Sequence, residues 1–157
     1  DVNWDKWDGS DLYFKGSWVL HTLRHAIGED DQWWSIFKGF YEDYSLSLVS
    51  TEDFVEYVNK ETGQDWTAFF DQYLRYPQPP VLEYQLEENG KNLQIRYRWA
   101  ADVAAFEMPI VIGNGEKEIT VTPNTRAWQE TILFNSSASD FVIAKDRFLV
   151  KSKRVRS

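Results

Sequence analysis

The chain is predicted to be α+β: a four-helix-containing α-helical segment followed by a small antiparallel β-sandwich. Apolar residues recur every three or four positions in the first half and every second position later, which are the periods of helix and strand. Between them lies Tyr76-Pro77-Gln78-Pro79-Pro80. Each proline there removes a backbone donor and restricts its predecessor, so no helix continues across it. Charge divides at the same place: residues 1–79 hold 15 acidic and 6 basic side chains, a balance of −9, whereas residues 80–157 hold 10 and 11, a balance of +1. Two domains are expected, 1–78 helical and 79–157 a β-sandwich.

The first helix begins near Asp11. Gly16, Val19, Leu20, Leu23 and Ile27 share its buried face, with Thr22 and Arg24 facing away, Ser10 or Asp11 as cap and Gly28 as stop. A second helix, capped by Asp30 or Asp31, runs to about Tyr44 with Ile36, Phe37, Phe40, Tyr41 and Tyr44 inward. Gly39 in its middle weakens it by about 1 kcal/mol relative to alanine, so close packing on a neighbour is the expected reason for it. Ser50-Thr51-Glu52-Asp53 opens a third helix, burying Phe54, Val55 and Val58 and stopping at Gly63. Asp65 caps a fourth that carries Phe69, Phe70, Tyr73 and Leu74.

Beyond the prolines, Leu93, Ile95, Tyr97 and Trp99 alternate with Gln94, Arg96 and Arg98, as in a strand with one wet face. The Asn89-Gly90 pair is expected to turn this strand back on Val81–Leu86. Further strands are predicted at about Glu107–Ile112, Glu118–Thr122, Trp128–Leu133, Phe141–Ala144 and Phe148–Ser152. The basic ending from Lys151 to Arg156 reads as an edge strand running into a solvated tail. No internal repeat or low-complexity segment is visible.

At 157 residues the chain is long enough to bury a real core. Its net charge of −8 argues against a nucleic-acid partner, whose phosphates demand a basic footprint. Without cysteine there is neither a disulfide scaffold nor a thiolate metal site, and the compartment stays open, a periplasmic or secreted parent included. No stretch is apolar for long enough to span a bilayer, and the N-terminus lacks the regions of a signal peptide, as a chain beginning mid-protein would. Aromatics make up 17% of the residues. Trp33, Trp34, Phe37, Phe40, Tyr41 and Tyr44 are assigned to contacts between helices, while Trp4 and Trp7 stand outside any periodic segment.

The stretch with most chemical content is Asp11-Leu12-Tyr13-Phe14-Lys15-Gly16-Ser17-Trp18-Val19-Leu20-His21-Thr22-Leu23-Arg24. It sets a phenol just inside a helix start, beside free backbone N–H groups and the positive end of the helix dipole, where negative charge is welcome. Tyr-x-Lys-Gly followed by a Leu-x-x-Leu-Arg-x-x-Ile-Gly helix resembles the aminopeptidase N family of zinc peptidases, the gluzincins. The likeness continues through Ile27-Gly28-Glu29-Asp30, Thr51-Glu52-Asp53-Phe54 and the run from Gly63 to Leu74.

That resemblance implies that Tyr13 is catalytic, donating its hydroxyl to the oxyanion formed when zinc-bound water attacks a peptide substrate. It also implies that residues 1–78 are the closing helices of a catalytic domain and that the sandwich follows it. The family's His-Glu-x-x-His helix, its further glutamate and its Gly-x-Met-Glu-Asn strand are not in this sequence. The chain is therefore expected to be a C-terminal fragment of a zinc-dependent aminopeptidase. Zinc would belong to the parent and none to this piece, which should be inactive without the missing N-terminal catalytic segment. Lys15 is expected to anchor structure through a carboxylate or helix ends, and Gly16 to allow close packing.

His21 and His25, four apart on a helix, have the spacing of a zincin pair, but Thr22 stands where the general-base glutamate would be and no third ligand is in view. Asp30/Asp31, Glu42/Asp43 and Glu52/Asp53 read as caps and solubilising groups. Two rival readings are a non-catalytic glycan- or protein-binding module and a stand-alone relative that has lost its metal site. Severed from its parent, the piece is expected to leave apolar surface open around Val19 and Trp34 and to self-associate.

Overall fold

Four helices precede seven strands in the computed structural model, which describes the backbone of residues 11–156 and the side chains of residues 13–156. The helices are α1 (Asp11–Ile27), α2 (Asp30–Tyr44), α3 (Thr51–Thr62) and α4 (Thr67–Arg75). None is long and apolar enough to cross a membrane. The expected Ser10 or Asp11 cap, Trp4 and Trp7 lie outside the described side chains.

Local chemistry sets the helix ends. Gly28 adopts a φ of 78° and returns its N–H to the Arg24 carbonyl at 3.0 Å, closing α1. At the start of α3 Ser50 and Asp53 form a reciprocal capping box: the Ser50 N–H donates to the Asp53 carboxylate at 2.7 Å and the Asp53 N–H to the Ser50 hydroxyl at 3.2 Å. Gly63, with a φ of 67°, stops that helix. Trp66, without a side-chain bond, holds the cap position of α4; Asp65, expected there, lies one residue earlier, and its carboxylate accepts the Thr67 N–H at 2.9 Å. The start of α2 differs from expectation. Glu29 holds the cap position without a side-chain bond, and Asp30 instead grips the Arg24 guanidinium at 2.8 and 2.6 Å.

Burial follows the predicted faces with four corrections. Thr22 is fully buried and does not face away. Gly16 is exposed, with no described residue near where a side chain would point, so the close packing expected of it is not found among the described residues. Val19 is buried and not an uncovered patch. Trp34, Tyr41 and Leu74 are exposed; they sit beside the helix stripes that pack, not on them. Gly39 behaves as expected, because a Cβ there would collide with the Tyr57 hydroxyl.

The strands are β1 (Val81–Asn89), β2 (Asn92–Ala100), β3 (Ile110–Gly113), β4 (Glu118–Val121), β5 (Gln129–Phe134), β6 (Val142–Ile143) and β7 (Lys151–Arg154). They form a four-stranded sheet ordered β5-β2-β1-β7 and a three-stranded sheet ordered β4-β3-β6. β1 and β2 pair antiparallel from Val81 opposite Ala100 to Asn89 opposite Asn92. The turn residues are thus Gly90 and Lys91, one place later than expected. Gly90, with a φ of 64°, fills the first central position, which a type II′ turn requires. β7 joins β1 in parallel, so the sheet is mixed and not wholly antiparallel. Phe148 and Leu149, expected within the last strand, lie before it; Phe148 is part of the core and Leu149 packs against it.

One apolar core runs from Leu23, Ile36, Val58 and Phe69 through Tyr73 to Trp99, Phe106, Met108 and Phe148. Polar groups inside it are satisfied. The Trp99 indole N–H donates to the Met108 carbonyl at 3.0 Å, and the Tyr73 hydroxyl to the Leu149 carbonyl at 2.9 Å. Burial pushes the Tyr73 phenol far above its ordinary pKa. Gln72, wholly buried, accepts the Val103 N–H at 3.0 Å and donates to the Gln78 carbonyl and the Asp102 carboxylate, both at 3.1 Å.

Candidate functional site

Tyr13 lies in the first turn of α1, where backbone N–H groups have no intrahelical acceptor, and 70% of its surface faces solvent. Two contacts fix the turn that carries it. The Ser17 hydroxyl donates to the Tyr13 carbonyl at 2.8 Å, and the Lys15 ammonium reaches the Tyr76 carbonyl at 3.1 Å. Tyr76 is the C-terminal cap residue of α4, so Lys15 anchors a helix end, as the sequence led us to expect. Phe14 and Trp18, four apart, extend the exposed aromatic surface along α1.

From Trp18 an aromatic ladder descends into the protein. Trp18 meets His21 edge-on at 5.4 Å between centroids, His21 meets His25 at 4.6 Å and 81°, and His25 leans on Phe148 at 6.1 Å. The His21 Nε2 sits 3.3 Å from the Asp146 carbonyl. Burial first, and then the charges of His21, Arg147 and Arg24, lower the His25 pKa below its ordinary 6.5, against an opposing pull from Asp30. The histidine pair does not fit a zinc ion. Its rings pack on each other, and no group of three or more His, Cys, Asp or Glu converges among the described residues.

Thr22 is the structural residue that the sequence misplaced. Its hydroxyl donates to the Trp18 carbonyl at 2.7 Å and accepts the Leu149 N–H at 2.8 Å, which ties α1 to the segment leading into β7. The face of Trp34 is covered by Arg24 at 5.4 Å, and Trp128 is flanked by Arg96 and Arg98 at 5.6 and 4.8 Å. Both rings therefore already hold cationic partners within the chain.

The fold and geometry together define an α+β unit that presents a solvent-facing tyrosine on a buttressed helix start. Comparison with known proteins places such a unit inside longer ones. No protein-family model matches the chain. Over 82 residues, 52% of this chain and 10% of the relative, it is 26% identical to aminopeptidase N of Lactococcus lactis subsp. lactis. It is also similar to the crystal structure of Legionella pneumophila aminopeptidase A in complex with aspartic acid, with a TM-score of 0.72 and 17% identity over 95% of this chain. At that identity the likeness is one of fold. The chain spans 18% of that structure's length.

Proposed function

We propose that this chain is part of a zinc-dependent aminopeptidase of the gluzincin type, which removes N-terminal residues from peptides, and that Tyr13 is its oxyanion donor. The observation that carries the reading is the exposed phenol of Tyr13 at the first turn of α1, on a helix start braced by Lys15 and Ser17. An aminopeptidase N is similar to half of this chain, and an aminopeptidase A shares its fold over most of it. Both relatives are several times longer, in keeping with a division of the active centre between this piece and the rest of a parent.

In this reading zinc supplies the nucleophile from residues outside the chain, and no step is routed through the residues here that do not fit it. The chain's own contribution is narrower. The Tyr13 O–H donates a hydrogen bond to an oxygen that gains negative charge only in the transition state, and the dipole of α1 favours charge at the same end. The neighbouring N–H groups add fixed partial positive charge without reorganising.

The test is Tyr13→Phe in the full-length enzyme. Loss of one such donor is expected to lower kcat by about 10²–10³, with kcat/KM falling in step because the interaction is absent from the ground state. An unchanged kcat would remove the role. The isolated chain should show no turnover of an alanyl anilide with added zinc, and turnover there would place the active centre elsewhere.

A further inference from the structure

We propose that the outer edge of β7 is a docking strand for an extended, acidic polypeptide segment, bound by strand addition to the four-stranded sheet. Among the described residues β7 is the terminal strand of that sheet, paired on one side with β1 alone. The Lys151 N–H donates to the Pro80 carbonyl at 3.0 Å and the Val155 N–H to the Tyr84 carbonyl at 2.8 Å. The two-residue period of a strand turns the Lys153 N–H to the same side. The N–H and C=O groups of Ser152 and Arg154 therefore face outward, a row that another peptide backbone can complete.

Charge selects the occupant. Lys151 and Lys153 fall opposite Val81 and Glu83 on one sheet face, and Ser152 and Arg154 opposite Leu82 and Tyr84 on the other; Arg156 shares the parity of Arg154. Cations thus flank the edge on both faces, and none of the four is in an ion pair among the described residues. Glu83, the carboxylate nearest in register, is held by Arg98 at 2.7 Å. A cationic edge repels a second copy of itself, so the pairing it favours is with a strand bearing acidic residues at successive positions. A polyanion without a peptide backbone would use the charges but leave the outward N–H and C=O groups unmatched.

The test uses the whole chain and a fluorescein-labelled, capped peptide of three Glu-Asp-Val repeats, read by anisotropy, with amide exchange followed at Ser152 and Arg154. Saturable binding that protects both amides is expected. Ser152→Pro, which removes an outward N–H while leaving the β1 ladder intact, should weaken binding by about tenfold or more. Lys153→Glu combined with Arg154→Glu should weaken it to a similar degree, and a Lys-Lys-Val version of the peptide should not bind. Four results would overturn the proposal: no binding; no gain in protection; protection of both amides before peptide is added; or a sulfated oligosaccharide binding as tightly while Ser152→Pro leaves the peptide's affinity unchanged. Should Ser152→Pro fail to fold, the exchange measurement on the unsubstituted chain and the double charge reversal still decide.

Discussion

The hydroxyl of Thr22 satisfies two main-chain groups at once, one in its own helix and one 127 residues away. Thr22→Val keeps the shape and strands the Leu149 N–H in a buried setting, so it is expected to cost about 1–3 kcal/mol by urea denaturation, whereas Thr22→Ser should recover most of the loss. Pattern reading sends a threonine outward because it counts polarity, and it cannot see that a distant amide will claim the hydroxyl. Tyr13 and Lys15 were more legible, since the first turn of a helix defines where a phenol and a long amine can reach. His25 makes a separate prediction. Its folded-state pKa lies below the unfolded value near 6.5, so the unfolded chain binds the proton first. Stability should therefore fall as pH drops through 6.5 and level off below the folded pKa. His25→Gln should flatten that part of the pH–stability curve, and an equal slope in the variant would assign it to other groups.

Where α2 packs on α3, Gly39 lies against the Tyr57 hydroxyl at the far end of that side chain. Gly39→Ala gains helix propensity but drives a methyl into the Tyr57 hydroxyl, and the net expectation is a loss of about 1–3 kcal/mol in thermal or chemical denaturation. Adding Tyr57→Phe removes the obstructing oxygen and should restore much of that loss; a simple sum of the two single effects would refute the contact. Elements like these were readable because their signals are local: the Ser50–Asp53 box, the αL glycines at 28 and 63, and the alternation along β2 all act within a few residues. What escaped was non-local. Nothing near Lys151 announces that its strand will lie parallel to one that begins 70 residues earlier, and the turn at Gly90-Lys91 slipped by one because the register of β1 on β2 is set by which face is buried.

The prolines at 77, 79 and 80 separate helices from strands along the chain, yet side chains on either side of them share one interior. Tyr73 reaches Leu149, Gln72 holds Val103 and Asp102, and Tyr73, Phe106 and Trp99 form a run of edge-on rings. Cutting the chain at the expected 78/79 boundary would therefore uncover Phe69, Tyr73, Phe106 and Phe148 together. The expected consequence is a single cooperative transition: far-UV dichroism, dominated by the helices, and the NMR amide signals of β1 and β2, which report the sheet, should trace coincident urea curves. Gln72→Leu, which orphans the buried Val103 N–H, should move both curves to lower urea by the same amount, because it weakens the joint and not one half. Helical signal lost ahead of the strand amide signals, or a midpoint shift confined to one probe, would show instead that the two parts fold independently and that the shared interior is only a contact between them.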